Sequence, residues 1–116
     1  MQKDNLIQQK SFEFSLMMIE LYKSLVAKNE FIISKQCLRS STSIGANIEE
    51  AVAGQSKKDF LHKMSIASKE ANETKYWLKV LDKSQLVSNN YSKYLKEIEN
   101  IINIFTKIVK TTAKSI

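Results

Sequence analysis

Proline is absent from these 116 residues and glycine occurs only twice, so few positions can break a helix and tight turns lack their usual chemistry. Cysteine occurs once, which excludes an intrachain disulfide. The place of Cys37 among helical apolar positions makes it a small buried hydrophobe and fits a reducing compartment. No run approaches the roughly 18 uninterrupted apolar residues of a membrane span. The start MQKDNLIQQKSF lacks a basic-then-apolar leader, so the expectation is a cytoplasmic protein without a membrane partner. Acidic residues are outnumbered: 18 Lys and Arg face 12 Asp and Glu, for a formal charge of +6 and a pI near 9.4. That balance favours polyanionic partners, although a small bundle also carries such charge for solubility alone.

What remains is apolar residues at helical spacing in a chain of single-domain length, read as one domain over 1–116. A first helix, about 6–27, carries Phe14, Met17, Met18, Leu21, Tyr22 and Leu25 on one stripe and Phe12, Leu16, Ile19 and Val26 on a second. The second apolar side needs a cover, most simply another subunit. After the connection KNEFII, Ser34 is the expected N-cap of a second helix, about 34–53, with Gly54 in the left-handed conformation at its end. Ser56, with Asp59 behind it, caps a third helix, about 57–82, whose seam runs Phe60, Met64, Ala67, Ala71, Thr74, Leu78 and Leu81. Ser88, Asn89 or Asn90 caps a fourth, about 90–113, striped by Tyr91, Leu95, Ile98, Ile102, Phe105, Ile108 and Val109. Short connections make this an all-α, antiparallel up-down-up-down four-helix bundle.

The stretch RSSTSIGANIEEAVAGQSKKDF, Arg39 to Phe60, needs its own reading. As a phosphate-binding loop it fails, because Gly45 and Gly54 are too far apart, no Gly-Lys-Ser/Thr follows and no strand precedes it. As a helix it places Cys37, Ser41, Ile44, Ile48 and Val52 on the bundle face, with Ser40, Ser43, Asn47 and Glu50 as an adjacent polar line. Gly45, costing about 1 kcal/mol in a helix interior, reads as a point of close backbone approach. Counting outward from a turn at Gln55 brings Arg39 level with Ala71, within reach of Glu70 and Glu73. A partly buried ion pair supported by the Ser40 and Ser43 hydroxyls is expected there.

The run from Leu38 to Leu78 also resembles the four-helix bundle proteins encoded in intervening sequences of bacterial 23S ribosomal RNA genes. The resemblance is carried by the Arg-Ser start at Arg39, Ser-Ile-Gly-Ala-Asn-Ile-Glu-Glu-Ala from Ser43, Ser-Lys-Lys-Asp-Phe from Ser56 and Glu-Ala-x-Glu-Thr-x-Tyr-Trp-Leu from Glu70. The outer helices match in length and pattern only. The resemblance implies an antiparallel bundle assembling with itself as a homopentameric ring. Related accessory proteins of diversity-generating retroelements bind nucleic acid and a reverse transcriptase. RNA or DNA and a nucleic-acid-processing protein are therefore the implied further partners.

Catalytic and metal chemistry are poorly supported, and no catalytic residue, metal or cofactor is expected. Asp59 and His62 have the spacing of one unit of a di-iron bundle, but such a site needs two units and further carboxylates, and His62 is the only histidine. Glu49, Glu50, Glu70 and Glu73 could gather a cation, yet neighbouring basic residues favour ion pairs. The serines lie in a helix without a nucleophile turn or oxyanion-hole motif. Trp77 shares a side stripe with Ile66, Glu70, Glu73 and Val80, which reads as packing.

The third helix offers more. Lys58, His62, Ser65, Lys69, Asn72, Tyr76, Lys79 and Lys83 recur at four-three spacing opposite the seam, and the stripe contains no carboxylate. Its lysines span about 38 Å of helix, enough to follow a nucleic-acid backbone with Tyr76 placed to stack on a base. Lys107, Lys110 and Lys114 add a basic end to the fourth helix, which has no acid after Glu99. The expected function is a non-enzymatic nucleic-acid-binding or ribonucleoprotein accessory module. Its rival is a protein-interaction scaffold whose lysines are only a solvated face.

Overall fold

With so few breakers, the helices must be stopped and started by side chains and by unusual backbone at single residues. The computed structural model describes residues 2–115, with side chains from Leu6 to Lys114. Its helices are α1 (Gln2–Ala27), α2 (Ile33–Val52), α3 (Lys57–Ser84) and α4 (Ser92–Ser115). They form an all-α, antiparallel up-down-up-down bundle in which each helix packs against its two neighbours around the ring. The rod measures 46 × 20 × 20 Å.

The α1–α2 connection ends one helix and begins the next within a few residues. Asn29 takes a left-handed φ of 64°, its N–H donates to the Val26 carbonyl at 2.9 Å, and the Glu30 N–H reaches the Leu25 carbonyl at 3.0 Å. This is the paired hydrogen-bond pattern that closes a helix end, with asparagine in the position glycine usually holds. The Glu30 carboxylate then accepts from the N–H groups of Ile32 and Ile33 at 3.0 Å and of Ser34 at 2.5 Å. The expected cap at Ser34 is therefore corrected. Ser34 is buried inside the first turn with its hydroxyl donating to the Glu30 carbonyl, and the acceptor for the orphan N–H groups is Glu30.

At the α2–α3 hairpin Ser56 Oγ accepts from the Asp59 N–H at 3.1 Å. Gly54 is not left-handed, as no glycine has a positive φ. A Cβ on it would lie 3.0 Å from the Ala51 carbonyl oxygen and 3.2 Å from Asp59 Cβ, so crowding at the turn accounts for the glycine. α3 ends at Gln85, whose φ is 48° and whose N–H donates to the Leu81 carbonyl. Asn90 Oδ1 accepts from the Ser92 N–H at 3.0 Å as α4 begins. Tyr91, fully buried, donates its hydroxyl to the Val87 carbonyl at 2.8 Å and pins the connection to the core.

Met64, Ala67, Ala71, Thr74, Leu78 and Leu81 of α3 are all buried, facing Phe14, Met18, Leu21 and Leu25 of α1 and Ile44 and Ile48 of α2. Two stripes drift from their sequence register. On α2 Ala51, not Val52, closes the core, and Val52 is 42% exposed. On α4 Tyr94 and Ile101 are buried while Leu95, Ile102 and Val109 are only partly so. In both cases the buried line steps by three where the sequence reading stepped by four, following the 3.6-residue turn. Cys37 is 2% exposed, and burial pushes its thiol up to about 12, where it is unreactive. Among the described residues no helix is long and apolar enough to cross a membrane.

Burial alone would raise the Glu30 carboxyl, but the N–H donors of Ser34, Ile33 and Ile32 outweigh it and hold it below its ordinary 4.5. A depressed acid stabilises the fold above its unfolded pKa and loses that contribution as pH falls through the folded value. Glu30→Ala should cost about 2 kcal/mol in urea unfolding at pH 7. The difference from wild type should shrink as pH is lowered below about 4.5, and a constant difference down to pH 3 would contradict the cap assignment.

Candidate functional site

The α2–α3 seam is built from small residues, which brings the two backbones close enough for short side chains to meet. Ser40 and Thr74, both fully buried, hydrogen-bond at 2.8 Å. Asn47 donates to the Ser43 carbonyl at 2.9 Å and to its hydroxyl at 3.1 Å. Glu50 pairs with Lys63 at 2.9 Å. The Arg39 guanidinium spans both nearby carboxylates: one nitrogen lies 3.2 Å from Glu70 and the other bonds to Glu73. Its Nε donates to Gln36 Oε1 at 3.4 Å. The Ser40 and Ser43 hydroxyls do not support Arg39, because each is taken up within the helix or by its own partner across the seam. Nor is the arginine deeply placed, with its side chain 50% exposed.

The same Glu73 oxygen that binds Arg39 also accepts from Trp77 Nε1 at 3.0 Å. Trp77 packs on the core, and its ring meets that of Tyr76 edge-on, with centroids 5.1 Å apart and planes at 70°. A chain of contacts thus runs from α2 through Glu73 and Trp77 to an exposed tyrosine on the outer side of α3.

On that outer side Lys58, His62, Lys69, Asn72, Tyr76, Lys79 and Lys83 are exposed, and Ser65 is partly so. None of the four lysines has a carboxylate partner among the described residues, where the ion pairs use Lys10, Lys23, Arg39, Lys63 and Lys75. Arg39 helps produce this state. Glu73 sits one helical turn from Lys69 and would otherwise be its natural i,i+4 partner.

Lys75 pairs with Glu99 of α4 at 2.5 Å, which fixes the antiparallel register. Counted from that pair, Lys107, Lys110 and Lys114 come level with Ala67, Met64 and Phe60, beside the Lys58 to Lys69 half of the stripe. All three are exposed. Lys96, exposed on the same outward line of α4, was missed in the sequence. Completing the helical wheel outward from the Ile98 core position would have found it. The two sets therefore form one basic side along α3 and α4.

The opposite side, along α1 and α2, is different in kind. Phe12 is 65% exposed, Leu16 51% and Phe31 57%. A groove of about 230 Å³ opens between the helices, lined by Gln8, Ser11, Phe12, Ser15, Thr42, Gly45, Ala46 and Glu49. A Cβ at Gly45 would meet Ser11 Oγ at 3.6 Å, an ordinary contact. Nothing within the chain demands glycine there, against the expectation of a close internal approach.

Glu50, Asp59 and His62 border a hollow of about 340 Å³ at the α2–α3 turn. Among the described residues no three His, Cys, Asp or Glu side chains come together closely enough to hold a metal ion.

Comparison with known proteins bears on most of the chain. The pattern described as 23S rRNA-intervening sequence protein matches residues 3–107. A solved structure of a protein of unknown function from the S23 ribosomal protein family of Bacteroides thetaiotaomicron superposes with a TM-score of 0.89. It is 45% identical, over 93% of this chain and 98% of that one. No curated protein matches.

Removing Arg39 takes away the one cation that spans Glu70 and Glu73 across the seam. Arg39→Gln should destabilise the fold by about 1 kcal/mol, and a double-mutant cycle with Glu70→Gln should show coupling of about 0.5 kcal/mol. Lys23→Gln, which breaks an exposed pair within α1, should change stability by less than about 0.5 kcal/mol.

Proposed function

We propose that this chain, which belongs to the 23S rRNA-intervening sequence protein family, is a non-enzymatic helical module that associates with itself and binds nucleic acid through the charge on its α3/α4 side. What supports the reading is that Lys58, Lys69, Lys79 and Lys83 are exposed, have no carboxylate partner among the described residues and lie on a stripe of α3 that carries no carboxylate, with Lys107, Lys110 and Lys114 alongside. Phosphates release counterions when they meet such a surface, and that release drives binding without reading sequence. Base-edge readout leans on bidentate arginine, and the single arginine is occupied by Glu70 and Glu73.

Self-association belongs to the same reading, because the exposed apolar groups lie on the opposite α1/α2 side and can be covered without masking the lysines. A ring of five is the assembly the family resemblance suggests. It would repeat the basic side around its rim and add avidity to weak contacts. The rival reading, a scaffold for another protein, draws on the same exposed Phe12, Leu16 and Phe31 and predicts partner binding that survives high salt.

Fluorescence anisotropy with labelled structured RNA and duplex DNA tests the proposal. Four phosphate contacts on duplex DNA should weaken affinity about 100-fold between about 50 and 200 mM salt. Replacing Lys58, Lys69, Lys79 and Lys83 by Gln, at unchanged oligomeric mass, should remove most of that dependence. Equal binding by both proteins, or none near physiological salt, would overturn it.

A further inference from the structure

We infer that Tyr76 is a stacking platform for an unpaired base, so that the strand following the α3 lysines is single-stranded where it crosses the middle of the helix. The inference rests on the nucleic-acid reading above and names its substrate class.

Tyr76 is 59% exposed, and among the described residues it is the one exposed aromatic ring on the basic side. The other exposed aromatics, Phe12 and Phe31, lie across the bundle on α1 and the α1–α2 connection. By helical rise Tyr76 stands about 10 Å from Lys69 and about 5 Å from Lys79. A base laid on its ring would therefore have its flanking phosphates within reach of two flexible ammonium groups.

An aromatic ring on a basic surface gains little from a paired duplex, whose base faces are covered by their neighbours. An unpaired base has a free face, and every base has one, so such stacking tolerates any sequence. This agrees with a surface that has no free arginine for base edges.

The bracing of the ring is the second observation. A solitary surface tyrosine loses rotamer freedom when it binds. Here Trp77 holds the Tyr76 ring edge-on at 5.1 Å, Glu73 holds the indole N–H at 3.0 Å, and Arg39 holds Glu73 from the neighbouring helix. These contacts lower the rotamer freedom that the ring would lose on meeting a base.

The test titrates the full chain with labelled oligouridine and oligothymidine of about 16 nucleotides, and with a blunt RNA hairpin and a DNA duplex carrying as many phosphates. Wild type, Tyr76→Ala and Tyr76→Phe are compared at one salt concentration and then across a salt series. Tyr76→Ala should weaken single-strand binding about 5- to 140-fold, leave duplex binding within about twofold, and leave the salt slope unchanged. Tyr76→Phe should retain binding. Trp77, the only tryptophan, supplies a local readout: its fluorescence should change with single strands in wild type and Tyr76→Phe, and not in Tyr76→Ala. Tyr76 is exposed, so the alanine variant should keep its helical circular dichroism.

Lysine-dependent, salt-sensitive binding that ignores Tyr76→Ala would overturn this inference alone. A loss of equal size on duplex would overturn it too. Failure of wild type to bind any of the four probes would remove the nucleic-acid reading and this inference with it. The two single strands separate an RNA ligand from a DNA one.

Discussion

Five carboxylates, Glu50, Glu70, Glu73, Glu97 and Glu99, are paired across the seams between helices, and the character of the α3/α4 surface follows from that placement. Glu70 and Glu73 are held by Arg39 and Glu50 by Lys63 across the α2–α3 seam. Glu99 is held by Lys75 across α3–α4, and Glu97 by Lys10 across α1–α4. Such half-exposed pairs add little stability individually. Their consequence is geometric. They set helix register and hold these acids at the seams, away from the outward lysine stripes of α3 and α4, which carry no carboxylate. The basic side is what remains after the seams have been satisfied.

The seams also explain why small residues crowd α2. Ser40 and Thr74 can bond across the bundle interior only if the two backbones approach closely, and the same approach brings Arg39 to two carboxylates. Across the bundle, α1 and α2 leave Phe12 and Leu16 exposed beside a groove floored by Gly45 and Ala46. One molecule therefore carries an apolar side and a basic side back to back.

Much of the fold was legible because the apolar spacing of α3 is unbroken and the Ser56 cap is local. Both depend on residues a few positions apart. The placement of Arg39 opposite Glu70 and Glu73 was also legible, since an antiparallel hairpin lets register be counted from its turn. What escaped depended on backbone and side-chain geometry that residue spacing alone does not set. The Glu30 clasp runs forward from outside the helix it starts, where Ser34 looked the better cap. Glycine stands at position 54 because a Cβ there would crowd Ala51 and Asp59, not because the turn is left-handed. Along α4, stepping by four let the stripe drift past Tyr94 and Ile101, which lie nearer the core. The Tyr76–Trp77–Glu73–Arg39 chain joins residues whose contacts only the folded seam brings together.

The proposed nucleic-acid contact on the α3/α4 side can be tested directly by lysine footprinting. Surface amines of the free and RNA-bound protein are acetylated and the extent at each lysine is read by mass spectrometry. The account predicts protection at Lys58, Lys69, Lys79 and Lys83, with Lys107 and Lys110 following, while Lys28 and Lys35 of the α1–α2 side, both exposed, label as before. Protection centred on Lys28 and Lys35, with the α3 lysines unchanged, would contradict it.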